Sequence, residues 1–450
     1  MPFAGGLLVA TALATTAAIW SPSATPGLRL ASLVAAFVSC GALVWREHRR
    51  PTLTTRTLLV ASGLVVVAAI AKSPHGSHDL WSYAMYARIL VHYRHNPYVQ
   101  VPAAFPGDPI LAHVSPGWRH TGSMYGPGFT TLSAAIACAA QASPVATRLA
   151  FQSLSGAGLL VGAIAVARAG APAWAVAAIA MNPLMLVTIV NGGHIDPVIA
   201  ALLLASALAV DRGRWALGAV AMAAAVSIKV VMVLPAAALV AWIARRHGVR
   251  VATLTGILAL GPTALGLALF GGLKTIRPLR SGSRQFSRAS LWALLRHVPV
   301  LGPHFGIAAL ATVAAVTAGL VVDRLHASSS RDAIAAGVLG YVLAAAYVLP
   351  WYLVWVLPLI AVGTQRWRRL AGLFVYSAAL ALAFELGRTA RSSAVGVALR
   401  ADIVLIQVGV LAGSAWALWR GAIGLLRRYP NSYSTPDCML PPADGPPPGR

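Results

Sequence analysis

The chain has 450 residues, 58% of them hydrophobic and 10% charged, with a mean hydropathy of +0.74. A soluble domain has too little interior to hide that much apolar surface, so composition excludes a water-soluble globular protein and points to a membrane one. The formal charge of +24 would suggest nucleic acid in a soluble chain; here much of the excess sits in short loops between apolar runs, where it reads as a topology signal and a contact for membrane lipids, and no nucleic-acid partner is expected.

Apolar runs broken at Gly, Pro and charge predict about fourteen helices of roughly spanning length. The first three cover 3–20, 28–45 and 57–71, and a long mixed stretch, 72–144, follows. Next come 145–166, 173–190, 197–210, 215–228, 230–244 and 251–270, then a second outlying stretch at 271–304. The last five are 305–322, 333–349, 352–362, 370–386 and 403–419. The first run has no basic segment before it and reads as a helix, not a cleaved signal. Arginine pairs and triplets at 46–50, 212–214, 245–246, 324–331, 366–369 and 427–428 all fall on one side if both termini are cytoplasmic, as the positive-inside rule asks. The stretches 72–144 and 271–304 then face outward. Residues 125–141 are apolar enough to be a further span, but counting them would reverse the charge alternation, so they read as an interfacial helix. The expected fold is all-α and polytopic, with about 12–14 transmembrane helices in a domain over 1–428 and a Pro-rich, disordered cytoplasmic tail over 429–450. Cys40, Cys138 and Cys438 form no metal-ligand spacing and no disulfide framework.

Negative charge is the scarce resource. Of eleven acidic residues, only Asp79, Asp108, Asp196, Glu385 and Asp402 fall at or near the outer face. An ionisable group beside a bilayer is costly unless solvated or paired, which makes this set a functional shortlist. Asp79 ranks first, after His78 and at the start of a stretch, 79–92, whose apolar residues repeat at helical spacing. It reads as a surface-lying helix led by a carboxylate, and a plain helix cap is an equal alternative. Asn191, His194 and Asp196 gather where the fifth and sixth spans meet, and the intervening Gly192 and Gly193 suggest backbone close to something bulky. Lys229 interrupts two apolar runs at the outer surface, where positive charge is not expected. It is a candidate to grip phosphate, against simple snorkelling to headgroups. The stretch 271–304 carries Lys274, Arg277, Arg280, Arg284, Arg288 and Arg296 without one acid, which fits an anionic partner or general attraction to anionic lipid. Trp351, Tyr352 and Trp355 mark an aromatic interface that also suits sugar stacking.

In this order the motifs resemble the GT-C superfamily of polytopic glycosyltransferases. More narrowly, they are similar to actinobacterial polyprenyl-phosphate-mannose-dependent mannosyltransferases. The pieces are Asp79-Leu80-Trp81-Ser82-Tyr83, Asn96-Pro97-Tyr98, Tyr125-Gly126-Pro127, Asn182-Pro183-Leu184, Gly193-His194-Ile195-Asp196, Ser227-Ile228-Lys229 and Leu349-Pro350-Trp351-Tyr352 with Trp355. The central motif of those enzymes usually reads His-Asn-Asp, whereas this chain has Ile195, a departure that bears on which sugar is moved. The resemblance implies an inverting glycosyltransferase at the outer face of the plasma membrane, moving a hexose, most simply mannose, from a polyprenyl-phosphate donor to a lipid-linked or envelope glycan. It implies Asp79 as general base, Lys229, Arg277, Arg280, Arg284 and Arg288 at the donor phosphate, and His78, Tyr125, Asn191, His194, Asp196, Trp351 and Tyr352 around sugar or acceptor. The resemblance fixes no cofactor, and a divalent metal, which some members contain, stays open. The alternatives are transfer of arabinofuranose or another sugar by a related enzyme, a lipid-linked glycan polymerase or ligase, a membrane transporter and a lipid-binding scaffold.

Overall fold

The computed structural model describes residues 2–278, 285–295, 304–363, 366–389 and 393–426. Arg280, Arg284, Arg296 and the tail 429–450 lie outside the described residues. Within them every regular element is helical, and nine helices are long and apolar enough to cross a membrane. The protein is a polytopic, all-α membrane protein, as its composition requires.

Three helices open the chain: α1 (Pro2–Trp20), α2 (Pro26–Arg49) and α3 (Thr55–Ala71). Then come α4 (Asp79–Val91), three 3₁₀ turns (Pro102–Ala104, Leu111–His113, Pro116–Trp118) and α5 (Pro127–Ala140). The bundle continues with α6 (Pro144–Arg168), α7 (Ala173–Ala180) and its π-helical continuation (Leu184–Val190), α8 (Asp196–Asp211) and α9 (Trp215–Ile228). It is completed by α10 (Val233–His247), α11 (Val249–Leu269), α12 (Phe305–Arg324), α13 (Ser330–Ala344), α14 (Leu357–Val362), α15 (Arg366–Thr389) and α16 (Ser393–Leu426). Proline opens α2, α5, α6 and α8, where its missing N–H is not needed.

Most predicted spans coincide with a helix, and the departures have local causes. The 173–190 run is split because Pro183 has no N–H to donate; Asn182 Oδ1 accepts from Leu184 N at 3.0 Å and restarts the chain as a wider π turn. The helix predicted to 349 stops at Ala344, since Ala345 and Leu349 are extended on the approach to Pro350. The last helix has 34 residues and far overruns the predicted 403–419. At 14 residues, α5 is about 21 Å long, short of the roughly 30 Å hydrocarbon core.

One expectation is overturned. The helix over 79–92 does not lie on a surface: Leu80 to Ile89 are all buried. It is packed between α5 and α6 and covered by the first two 3₁₀ turns, so its polar face meets protein. Arg88 on that face is neutralised by Asp108 at 2.7 Å and donates to the Gln141 carbonyl at 2.9 Å. Arg29 and Glu385 form a second buried pair, at 2.9 Å, between α2 and α15. Around this core, rows of exposed apolar residues such as Leu64, Ile257, Leu310 and Leu405 face outward, the surface a bilayer covers.

Candidate active site

The site forms where four connections meet at one end of the bundle: α3 to α4, α7 to α8, α9 to α10, and the turn after α13. Asn191 ties the first two together. Its Oδ1 accepts from His75 N at 2.9 Å and its Nδ2 donates to the carbonyls of Ala69 and Lys72, while Gln152 Nε2 donates to the Asn191 carbonyl at 2.7 Å. The amide is thus spent on backbone, and Asn191 holds the Asp79 loop instead of facing a substrate. Gly193, at φ +66°, makes the turn that returns the chain toward α8, and a Cβ there would stand 2.8 Å from Leu80 Cδ2. A Cβ on Gly192 would meet the His194 ring at the same distance. The bulky neighbours anticipated for these glycines are therefore α4 and the chain's own imidazole.

Asp79 opens α4 with about a fifth of its side chain exposed. Its Oδ2 lies 3.4 Å from His194 Nδ1, a long hydrogen-bond distance, and its own N–H donates to Ser77 Oγ at 3.2 Å. The His194 ring stacks on Trp351 with centroids 3.9 Å apart. Burial, then the Lys229 charge, holds that imidazole well below its ordinary pKa, so it is a neutral prop. Burial also pushes the Asp79 carboxyl up to about 6, a rise opposed by Lys229, reinforced by Asp196 and opposed again by Ser77.

Asp196 has a different setting. Its Oδ1 accepts from Lys229 Nζ at 2.9 Å and from Trp355 Nε1 at 2.8 Å, and the carboxylate is fully buried. Lys229 also lies 4.3 Å over the Tyr352 ring and 4.9 Å over Trp355, so its positive charge is enclosed by a carboxylate and aromatic faces. The expectation of a free cation waiting for phosphate is corrected on this point: Lys229 is already paired. The motif 125–127 docks directly beneath, with Gly126 N donating to the Ile228 carbonyl at 2.9 Å and leaving no space for a Cβ against Ser227. Tyr98 donates to the Tyr125 carbonyl at 2.9 Å, fixing Tyr125 beside Lys229.

The carboxylate of Asp79 lines a narrow cleft with Ser82, Tyr86, Trp118, Met124, Tyr125, Tyr347, Leu349 and Tyr352. Its free space is about 40 Å³, room for a water or two and too small for a hexose. A second cavity, about 280 Å³, shares Tyr347 and Leu349 with the cleft and runs between Arg288, Pro350, Phe384 and Ile403. Of the other predicted residues, His78 is exposed and contacts the His113 carbonyl at 2.9 Å, outside the cleft. Arg277 is exposed, and Arg288 is exposed at the second cavity. Among the described residues no three His, Cys, Asp or Glu side chains converge on a metal-sized space. Asp196 is turned to Lys229 and does not add to such a set.

Sequence reasoning missed Ser82, Tyr86, Trp118, Met124, Tyr347 and, as a partner of Asp196, Trp355. Ser82 and Tyr86 follow Asp79 at three and seven residues, the spacing of one helix face. That signal was present in the sequence. Trp118 and Tyr347 reach the cleft from distant loops, and nothing local announces them.

The family model described as Alpha-(1->6)-mannopyranosyltransferase, N-terminal domain, matches residues 5–246. Over 188 residues the chain is 30% identical to Alpha-(1->6)-mannopyranosyltransferase A of Corynebacterium glutamicum, a stretch covering 41% of this chain and 38% of that protein. The match therefore spans about two fifths of that relative. Asp79, Tyr125, Asn191, His194, Asp196 and Lys229 lie inside the family match, and Arg288, Trp351 and Tyr352 beyond it.

Proposed function

We propose a mannosyl-transfer reaction for this chain, which belongs to the family of alpha-(1->6)-mannopyranosyltransferases. In this reading the donor is polyprenyl-phosphate mannose, the acceptor a lipid-linked or envelope glycan, and the cleft faces the extracytoplasmic side of the plasma membrane. The observation that carries it is Asp79: a carboxylate at the end of a polytopic bundle, in an aromatic-lined cleft, with no lysine or arginine bound to it among the described residues.

Asp79 takes the proton of the acceptor hydroxyl while that oxygen attacks the anomeric carbon. The bond from this carbon to the phosphate oxygen breaks, and the lipid phosphate leaves with the electron pair. One displacement inverts the anomeric centre, so an α-linked product requires a β-linked donor. A carboxyl with its pKa near 6 is ionised at neutral pH yet basic enough to accept the proton. The leaving phosphate needs positive charge, not a proton. Arg288 at the neighbouring cavity supplies it, with Arg277, Arg280 and Arg284 of the same segment as further candidates. Lys229 acts through its field, since Asp196 holds it. The apolar cavity between α15 and α16 suits the isoprenoid tail, and Tyr125, Tyr347 and Tyr352 offer faces for the sugar. Because the cleft is smaller than a hexose, donor binding has to part Trp118 from Tyr347, now in edge contact at 6.5 Å.

The test uses membrane fractions and radiolabelled polyprenyl-phosphate mannose, comparing wild type with Asp79→Asn. Label is expected in a lipid-linked or glycan product with wild type only. Equal incorporation by both removes Asp79 from its role. Incorporation from an arabinose donor alone would move the substrate to another sugar.

A further inference from the structure

A third cavity, larger than these two, lies elsewhere. At the end of the bundle opposite Asp79, α12, α13, α14, α15 and α16 enclose about 560 Å³, within the roughly 300–1,000 Å³ of small-molecule sites. Its position follows from α13: the first turns of that helix line this cavity, and the chain just beyond its last turn, at Tyr347, lines the catalytic cleft. The interior is apolar, built from Leu320, Leu339, Ile360 and Leu373. Trp416, 45% exposed, also lines it, so the cavity reaches the outward, bilayer-facing surface of α16.

Its rim is basic. Arg324, Arg368 and Arg369 line it with one acid, Asp332. Arg369 reaches Asp332 at 3.5 Å. Arg324 lies 3.1 Å from Asp323, but Arg420 takes the other oxygen of the same carboxylate at 2.8 Å. Three arginines, Arg324, Arg369 and Arg420, therefore share two aspartates, and Arg368 is a fourth, exposed at the mouth. An apolar chamber open toward lipid, with surplus guanidinium groups at its mouth, has the chemistry of a phosphate on an acyl chain.

We propose that this cavity binds an anionic diacyl phospholipid, with its phosphate at Arg368 and Arg369 and an acyl chain inside against Leu339 and Leu373. The inference does not depend on the mannosyl-transfer reading, because it uses the other end of the molecule. Gly372 provides a way to test the apolar half. It lines the cavity, and a Cβ there would have nothing within 4 Å. Gly372→Leu thus fills the chamber while improving helix propensity.

The experiment measures lipid retained by the purified full-length protein in detergent, by native mass spectrometry, offering phosphatidylglycerol or phosphatidylcholine. Wild type is expected to prefer phosphatidylglycerol. Arg368→Gln should cut that preference about fivefold, the effect of one basic residue near an anionic headgroup, and Arg368→Lys should keep most of it. Gly372→Leu should lower retention of both lipids. Elution volume and melting temperature monitor folding, and if Gly372→Leu does not fold the Arg368 pair decides alone. Equal retention of the two lipids by wild type overturns the proposal, as does wild-type retention by Arg368→Gln. Displacement of phosphatidylglycerol by inorganic phosphate would assign the arginines to a free anion and overturn it as well.

Discussion

Two carboxylates occupy the same end of the bundle in opposite surroundings. Asp196 is fully buried, and one of its oxygens takes hydrogen bonds from both Lys229 and Trp355. Asp79 is partly open to a cleft, and among the described residues the one basic-type side chain in contact with it is a neutral imidazole at 3.4 Å. A carboxylate whose charge is compensated in place is held; one open to a cleft and without a cation in contact has a lone pair to offer. In the proposed mechanism the contrast separates a clamp from a base, although sequence treats both as scarce acids near an outer surface.

The largest expected effect sharpens that division. Asp79→Asn should lower the transfer rate by about 10²- to 10⁴-fold with little change in melting temperature, because it removes a half-buried charge that no salt bridge needs. In wild type, kcat/KM should rise with pH through about 6, tenfold per unit below it, since the working form of Asp79 is the ionised one and ionisation is complete only above its raised pKa. A rate independent of pH between 5 and 7, or a stable Asp79→Asn enzyme of full activity, would break the assignment of the base.

The clamp predicts the reverse pattern. Lys229→Met leaves Asp196 buried beside Trp355 alone and should cost about 3–5 kcal/mol of stability. The double variant Lys229→Met/Asp196→Leu should recover most of that loss, because a buried pair replaced by apolar groups is often neutral. Denaturant titration of the purified proteins gives both numbers. A Lys229→Met protein as stable as wild type but unable to transfer sugar would make Lys229 a donor-binding cation instead.

A smaller effect concerns the backbone that joins the two sites. Gly193→Ala places a Cβ at positive φ and 2.8 Å from Leu80, the residue after Asp79. Gly213, at φ +74°, has no atom within 4 Å of its Cβ position. Strain alone should cost Gly213→Ala about 1–2 kcal/mol, and Gly193→Ala should lose more and also slow transfer by shifting α4. Equal losses at the two glycines, with activity retained in both, would detach the turn from the site.

These contrasts also mark what the sequence could convey. Span positions were legible because an apolar run of set length has one physical meaning in a bilayer, and Trp215–Ile228 was placed to the residue. The chain break at Lys229 was legible for the same local reason, whereas the split at Pro183 inside the 173–190 run was not, because the apolar pattern continues across it. The burial of α4 was not, because its Leu80, Tyr83 and Ala87 repeat fits an interfacial helix equally well, and only the covering 3₁₀ turns decide. Pairing was the main loss. Lys229 and Asp196 are 33 residues apart, and no local pattern says that one neutralises the other or that Trp355 completes the clamp. Asn191 stands out as a polar residue beside apolar runs, yet its side-chain partners are backbone N–H and carbonyl groups, which sequence does not distinguish.

The smallest effect tests whether the tuning of Asp79 is as local as the geometry suggests. Ser77 sits two residues before Asp79, accepts its N–H at 3.2 Å and helps hold the carboxyl down against burial. Ser77→Ala removes that help, so the pKa of Asp79 should rise and the pH–rate midpoint should move to the alkaline side. The shift should be smaller than that in a folded Lys229→Met protein, since the lysine charge opposes burial more strongly than the hydroxyl does. The plateau rate at high pH should stay near that of wild type, because the ionised base is unchanged once formed. Full pH profiles of both variants separate these terms. An acid shift in Ser77→Ala would mean that the hydroxyl stabilises the protonated carboxyl, and the environment assigned to Asp79 would then be wrong at its nearest polar neighbour.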